Sequence, residues 1–345
     1  MSRPGTSHVA GAVQELLDSE RKYVHDLGEL HRFKEEIEQR ELVPKNIVHE
    51  IFLNLKTILG FQQKFLAKVE TISSQSQDIG RWGFLFTTYE EAFSIYYPFI
   101  ANSSEGIDLA VREFKNFALI GDKIFVDSET LRSFLQKPLQ RLHEYPVLLK
   151  NLRDSSSTDE EAMADIHSGI QVANRVLRAA ALAVDLETRN LALSELCSRV
   201  HDWKNLRLDH FGDLLLCGQF ALAHSTKDSF TEMKEYNLYF FEQALLCCKE
   251  LKAKTSLSKR LFGRMSKASQ SDRKPELFIK GRLFVKDIKE ASAFVEEGFY
   301  SLDISYLSVD NESSVDQSLI IRFPDEEVGR RWRLIINGRK ENVTE

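Results

Sequence analysis

SFLQKPLQRLHEYPVLLKNLR, residues Ser133 to Arg153, carries two prolines inside a run whose apolar residues keep helical spacing. With Leu131 as reference, Phe134, Leu135, Leu142, Tyr145, Leu149 and Leu152 fall on one side of a 3.6-residue helix. Lys137, Gln140, Arg141 and Glu144 are assigned to the other side. The pattern predicts an amphipathic helix with one face packed and a polar face available for docking.

The helical period extends to both sides of this stretch. Val13, Leu16, Leu17, Tyr23, Val24, Leu27 and Leu30 form one stripe, and Ile47, Ile51, Leu55, Ile58, Leu59, Phe65 and Leu66 predict a second helix after Pro44. Further helices are expected over Trp82 to Tyr97 and Ile107 to Phe117. Ser155, Ser156, Ser157 and Thr158 mark a loop, with Thr158 or Asp159 as N-cap of a long helix through Ile166, Ile170, Val176, Leu177 and Ala180 towards Val200. Beyond Trp203 the period shortens. GDLLLCGQFALA, EYNLYFFEQALLCCKE, ELFIKGRLFV, FYSLDISYLSV and QSLIIRF read as strands, Pro324 closes the last, and Asp325 to Asn337 reads as a helix carrying Val328, Trp332, Ile335 and Ile336. The expected organisation is a disordered stretch at 1–10, an all-α domain over 11–202, and antiparallel strands capped by one C-terminal helix over 203–341.

With 345 residues, 43% of them hydrophobic, the chain can bury two ordinary cores. A net charge of −6 argues against a nucleic-acid partner, because phosphate binding rests on clustered cations. The four cysteines, Cys197, Cys217, Cys247 and Cys248, have neither CxxC spacing nor a disulfide framework, so reduced thiols are expected. The start, MSRPGTSHVAGAV, has no apolar core of signal-peptide length, and no run approaches the ~18 apolar residues of a membrane span. A soluble protein with at most peripheral membrane contact is expected. HExxH, GxxxxGK[ST] and GxSxG are all missing from the sequence, so neither covalent catalysis nor a cofactor or metal is indicated.

KPLQR followed after a short spacer by YPVLLKNL resembles the signature helix of the Dbl-family exchange factors, which unload GDP from Rho-type GTPases. AVQELLDSERKYVHDLGEL, Ala12 to Leu30, is similar to the first helix of that family's catalytic domain. VHDWKNLRLDHFGDLL, Val200 to Leu215, resembles the junction where a pleckstrin-homology domain begins. ERKYVHDL and the WK.....FG.LL pattern look most like the fungal cell-polarity type. The resemblance implies an elongated Dbl-homology helical bundle followed by a pleckstrin-homology β-barrel. It also implies exchange on a Rho-family GTPase of the cell-division-control or Rac type, and a cytoplasmic protein recruited to the plasma membrane at sites of polarised growth. The alternative is a scaffold that keeps this fold and binds a GTPase or membrane without ejecting nucleotide.

Glu20 lies inside the apolar stripe of the first helix, between Leu16, Leu17 and Val24, where an ionised carboxylate needs a partner. On its own the residue reads as half of an internal ion pair with a Lys or Arg of a neighbouring helix. The resemblance implies a contact with switch I of the GTPase instead. It further implies a binding surface that includes Lys137, Leu139, Gln140, Arg141, Glu144, Lys150, Arg178 and Ala181, with helix packing and a cap the equal alternative for Leu139 and Arg141. Two positions depart from the family pattern: Glu144 stands where Lys or Arg is usual, and Ala181 where Asn is usual. Read from spacing alone, Glu144 pairs with Arg141 three residues earlier, and Ala181 is a good helix former.

From Lys252 to Arg282 there are ten Lys or Arg against Asp272 and Glu276, a local charge of +8. Its serines and scattered apolar residues predict a disordered loop over 252–275. Weak attraction of anionic lipid through Lys259, Arg260, Arg264, Lys280 and Arg282 is the functional expectation.

Overall fold

The computed structural model of the protein describes residues 4–74, 81–155, 160–226, 229–250, 275–296, 298–310 and 313–343. Contacts divide the chain into two compact units, Met1–Thr188 and Arg189–Glu345. The division falls inside a helix; the change of period at Trp203 lies further on, ahead of the first strand.

The first unit is helical. Helix α1 covers Pro4–Gln39, α2 Lys45–Phe52, α3 Leu55–Ser74, α4 Trp82–Tyr89, α5 Tyr96–Ala101, α6 Ser103–Phe117 and α7 Ser128–Ser155. Helix α8, Glu160–Arg199, begins in this unit and ends in the second. Helix α1 begins inside the stretch 1–10 expected to be disordered, and its first residue is Pro4, whose fixed φ and missing N–H suit that position. Its stripe Leu16, Leu17, Tyr23, Leu27, Leu30, Phe33 and Ile37 is buried, and α1 packs on α3 and α7.

The single helix expected after Pro44 is two helices. Leu53 takes φ 36°, its N–H closes on the His49 carbonyl, and the Asn54 side chain donates to the Ile95 carbonyl at 2.7 Å. The apolar spacing runs through this break unchanged, so periodicity does not register it. The stretch from Trp82 to Tyr97 is likewise interrupted, with a 3-10 segment at Glu91–Ile95 before α5. Pro98 lies in the first turn of α5, where a missing N–H is tolerated.

In α7 both Pro138 and Pro146 are internal, which removes two intrahelical hydrogen bonds. Burial compensates: Leu131, Leu135, Pro138, Leu142, Tyr145, Leu148, Leu149 and Leu152 are all in the core. Asp127 starts the helix by accepting the Thr130 N–H at 2.7 Å. Arg141, expected on the polar face, is buried at 1% exposure, three residues after Pro138 and four before Tyr145.

The second unit is an antiparallel sheet with a terminal helix. Its strands are β1 Leu214–Thr226, β2 Ser229–Phe230, β3 Lys234–Phe241, β4 Ala244–Glu250, β5 Leu277–Phe284, β6 Ile288–Glu296, β7 Phe299–Asp310 and β8 Ser313–Phe323. They are ordered β5-β4-β3-β1-β8-β7-β6, with β2 on β1. Side chains from β1 and from β3 through β8 meet in one core, together with Trp332 and Ile336 of helix α9, Glu326–Val343. The Trp332 ring lies edge-on to Phe220 and beside Phe240 and Phe323. Asp325 caps α9 through the Glu327 N–H at 2.6 Å.

The other face of β1, β3, β4 and β5 is covered by Leu196, Val200 and Phe211, which is why LYFF and ALLCC read as unbroken apolar runs. Strand β6 carries no strand signal in its sequence, because only Ile288 and Ala291 of its residues are buried and no alternation shows. All four cysteines are unbridged. No helix among the described residues is long and apolar enough to cross a membrane.

Candidate functional site

The polar intrusions into the helical core converge on one point. Among the described residues of the first unit, Glu20 from α1, Gln62 from α3 and Arg141 from α7 are the buried charged or amide ones. Arg141 Nη2 donates to Glu20 Oε2 at 2.6 Å, Gln62 Nε2 donates to Glu20 Oε1, and the Tyr145 hydroxyl donates to Glu20 Oε2 at 3.1 Å. Gln62 Nε2 also reaches the Tyr145 hydroxyl at 2.9 Å, while Gln62 Oε1 accepts from the Tyr96 hydroxyl at 2.6 Å. Tyr23 closes the chain at 3.1 Å from the Tyr96 hydroxyl. An ionised carboxylate only accepts, so Glu20 dictates the orientation of the Gln62 amide and, through it, the direction in which Tyr96 and Tyr23 donate.

Electrostatics follow from this enclosure. Burial pushes the hydroxyl pKa of Tyr23, Tyr96 and Tyr145 above its ordinary value, so all three remain donors. Burial alone would weaken the charge of Arg141, but Glu20 beside it outweighs that and raises its pKa. The guanidinium also stacks over the Tyr145 ring at 4.6 Å.

Above this network the surface opens into a groove of about 510 Å³ between α1 and α7. Ser19, Lys22 and Asp26 form part of one wall, and Lys137, Gln140 and Glu144 part of the other. Lys137 Nζ spans the groove to Asp26 Oδ2 at 2.7 Å. Arg141 forms part of its floor and sends Nη1 outward to Glu144 Oε2 at 2.8 Å and to Ser19 Oγ at 3.2 Å.

The residues expected at a docking surface therefore separate into four groups. Lys137, Gln140 and Glu144 line the groove, and Glu144 makes the Arg141 pairing that its spacing predicts. Glu20 lies beneath them. It is wholly buried in the internal ion pair that its position in the stripe also suggested, and Arg141 is its partner. Leu139 packs against the helical core, while Lys150, Arg178 and Ala181 are exposed but do not line the groove. Leu182 is exposed beside Ala181 on α8.

Sequence reasoning missed Gln62 and Tyr96. The available signal was Gln62 itself, an amide between Ile58 and Phe65 on a stripe that packs, which answers the same kind of intrusion by Glu20 on α1.

In the second unit, Lys280 and Arg282 are exposed on β5, with the Arg282 guanidinium 4.9 Å from the Phe284 ring centre. Lys259, Arg260, Arg264 and the expected loop up to residue 274 lie outside the described residues. Among the described residues no cluster of His, Cys, Asp and Glu could hold a metal ion.

Comparison with known proteins matches residues 12–180 to the RhoGEF domain and residues 209–336 to a pleckstrin homology domain. Over 327 residues, 94% of this chain, it is 30% identical to Rho guanine nucleotide exchange factor scd1 of Schizosaccharomyces pombe, covering 35% of that protein. It is 26% identical to Cell division control protein 24 of Saccharomyces cerevisiae over 69% of this chain and 28% of that protein. The chain thus spans about a third of the length of these relatives. The DH/PH fragment of PDZRHOGEF crystallised with human RhoA has the same fold, with a TM-score of 0.73, 13% identity, and coverage of 99% of this chain and 96% of that one.

Proposed function

Because residues 12–180 belong to the RhoGEF domain family and residues 209–336 to the pleckstrin homology family, we propose that this chain is a guanine nucleotide exchange module for a Rho-family GTPase of the polarity type. Such a module works by binding energy alone. It binds the nucleotide-free GTPase more tightly than the loaded one, and so lowers the barrier to release without shifting the final equilibrium. Each ~1.4 kcal/mol of that preference is worth up to tenfold in rate.

The observation that carries the reading is the groove between α1 and α7, whose floor is fixed by Glu20, Gln62 and Tyr145 around Arg141. Lys137, Gln140, Glu144 and Lys150 on α7, with Arg178, Ala181 and Leu182 on α8, supply the contact surface in this proposal, while Glu20 acts from behind it by holding Arg141. The test is release of fluorescent GDP from a panel of Rho-family GTPases. Acceleration of at least one member is expected, and Glu144→Lys combined with Ala181→Asn should accelerate it further. A chain that binds a GTPase without accelerating release would instead be the exchange-deficient scaffold.

For the second unit we infer weak, peripheral attraction to anionic membrane. Lys259, Arg260, Arg264, Lys280 and Arg282 would act at about 1 kcal/mol per cation held near the surface. Binding to phosphatidylserine vesicles should fall with added salt and on neutralising Lys259, Arg260 and Arg264. Binding indifferent to both would remove this segment as the anchor.

A further inference from the structure

We propose that Glu144 is a latch: an internal occupant of Arg141's outward edge that an incoming hydrogen-bond acceptor of the GTPase must displace. The proposal deepens the exchange reading and rests on it.

Arg141 presents two ends. Nη2 points inward and is held by Glu20 at 2.6 Å; Nη1 points to the groove and is held by Glu144 at 2.8 Å. The two carboxylates are not equivalent. Glu20 is fully buried, whereas the Glu144 side chain is 56% exposed. The guanidinium itself is 1% exposed, fixed from below by Glu20 and stacked on Tyr145, so its outward N–H groups are already aimed and lose little freedom on meeting a ligand. Glu144 is the member of this cluster that can swing into water.

The groove supplies the second part of the argument. Glu15 and Asp26 also line it, and Asp26 is neutralised by Lys137. Lys22 on the α1 wall offsets Glu15, so Glu144 is the carboxylate that opposes an acidic group and covers the donor such a group would seek. A carboxylate or main-chain carbonyl of a switch segment that reaches Nη1 would replace one acceptor by another, while Glu144 regains its hydration. Half-exposed ion pairs are weak, so the device sets a threshold rather than a block.

Glu144→Ala and Glu144→Gln in the full chain test this, since an exposed helix position should keep its fold. At subsaturating chain, GDP release from the responding GTPase should rise about two- to fivefold in Glu144→Ala. The rise should be smaller in Glu144→Gln, which keeps a neutral acceptor. The side-chain ¹⁵N signal of Arg141 should move in both variants without the GTPase present, with helical circular dichroism unchanged. Wild-type exchange with no gain in Glu144→Ala, or an unmoved Arg141 signal, overturns the latch and leaves the exchange reading standing. Failure of wild type and variants alike to accelerate any Rho-family member overturns the exchange reading, and the latch falls with it.

Discussion

Arg141 has the chemistry of a surface residue and the angular position of a core residue. On the helical wheel it sits with Pro138, Leu142 and Tyr145, and only its charge points to the solvent side. The structure follows position and meets the charge with Glu20. Removing one partner of such a pair leaves the other buried and uncompensated. Arg141→Met should therefore lower the unfolding free energy by about 3–5 kcal/mol, and adding Glu20→Gln should recover part of that loss in urea titrations. A loss as small as that of a surface pair would contradict burial of the network. Asp122 offers a pH test. Burial alone would raise its pKa, but the Phe125 N–H, Arg32 and the Ile124 N–H outweigh burial and hold it below the ordinary range. A depressed carboxyl contributes stability that is present above its unfolded value, ~3.9, and lost as pH falls through the folded one. Wild type should thus lose stability below about pH 4 more steeply than Asp122→Asn. Equal acid slopes would show that Asp122 does not contribute.

Whole elements were legible where one face alone is buried, and in β3 and β4 where both are and the apolar run is unbroken. The stripes of α1 and α7 and the alternation of β7 and β8 announce themselves, whereas β6 buries too little to alternate and the α2–α3 break keeps its spacing. Close helix approaches leave no periodic trace either. A Cβ on Gly83 in α4 would lie 1.6 Å from the Asp165 carbonyl oxygen of α8, and the Asp165 carboxylate accepts the Gly83 and Phe84 N–H groups. Gly60 in α3 has open space around it. Gly83→Ala should lower stability by about 1–3 kcal/mol or more; Gly60→Ala should raise it by about 0.5–1 kcal/mol. Melting curves that shift both variants in one direction would contradict the packing of α4 on α8. On β4, burial pushes the thiols of Cys247 and Cys248 up to about 12. At pH 8 a thiol reagent should label the exposed Cys197 and spare both until the sheet opens. Equal labelling rates in the native protein would show that β4 is not enclosed.

For the whole molecule, two folds in sequence order were readable from the change of period and from three motifs; the buried centre of the groove was not. Glu20 pointed there, but its partners come from residues 42 and 121 positions away, and one sequence carries no record of such pairings. A rigid floor of donors lies beneath a groove that one movable carboxylate guards at its rim. Exchange by this surface requires preference for an emptied GTPase over a filled one. Titrating the chain against one Rho-family GTPase, first loaded with GDP and Mg²⁺ and then stripped of nucleotide, measures that preference directly. Binding to the stripped form should be tighter by at least about tenfold, or ~1.4 kcal/mol. Equal affinity for the two forms would contradict it.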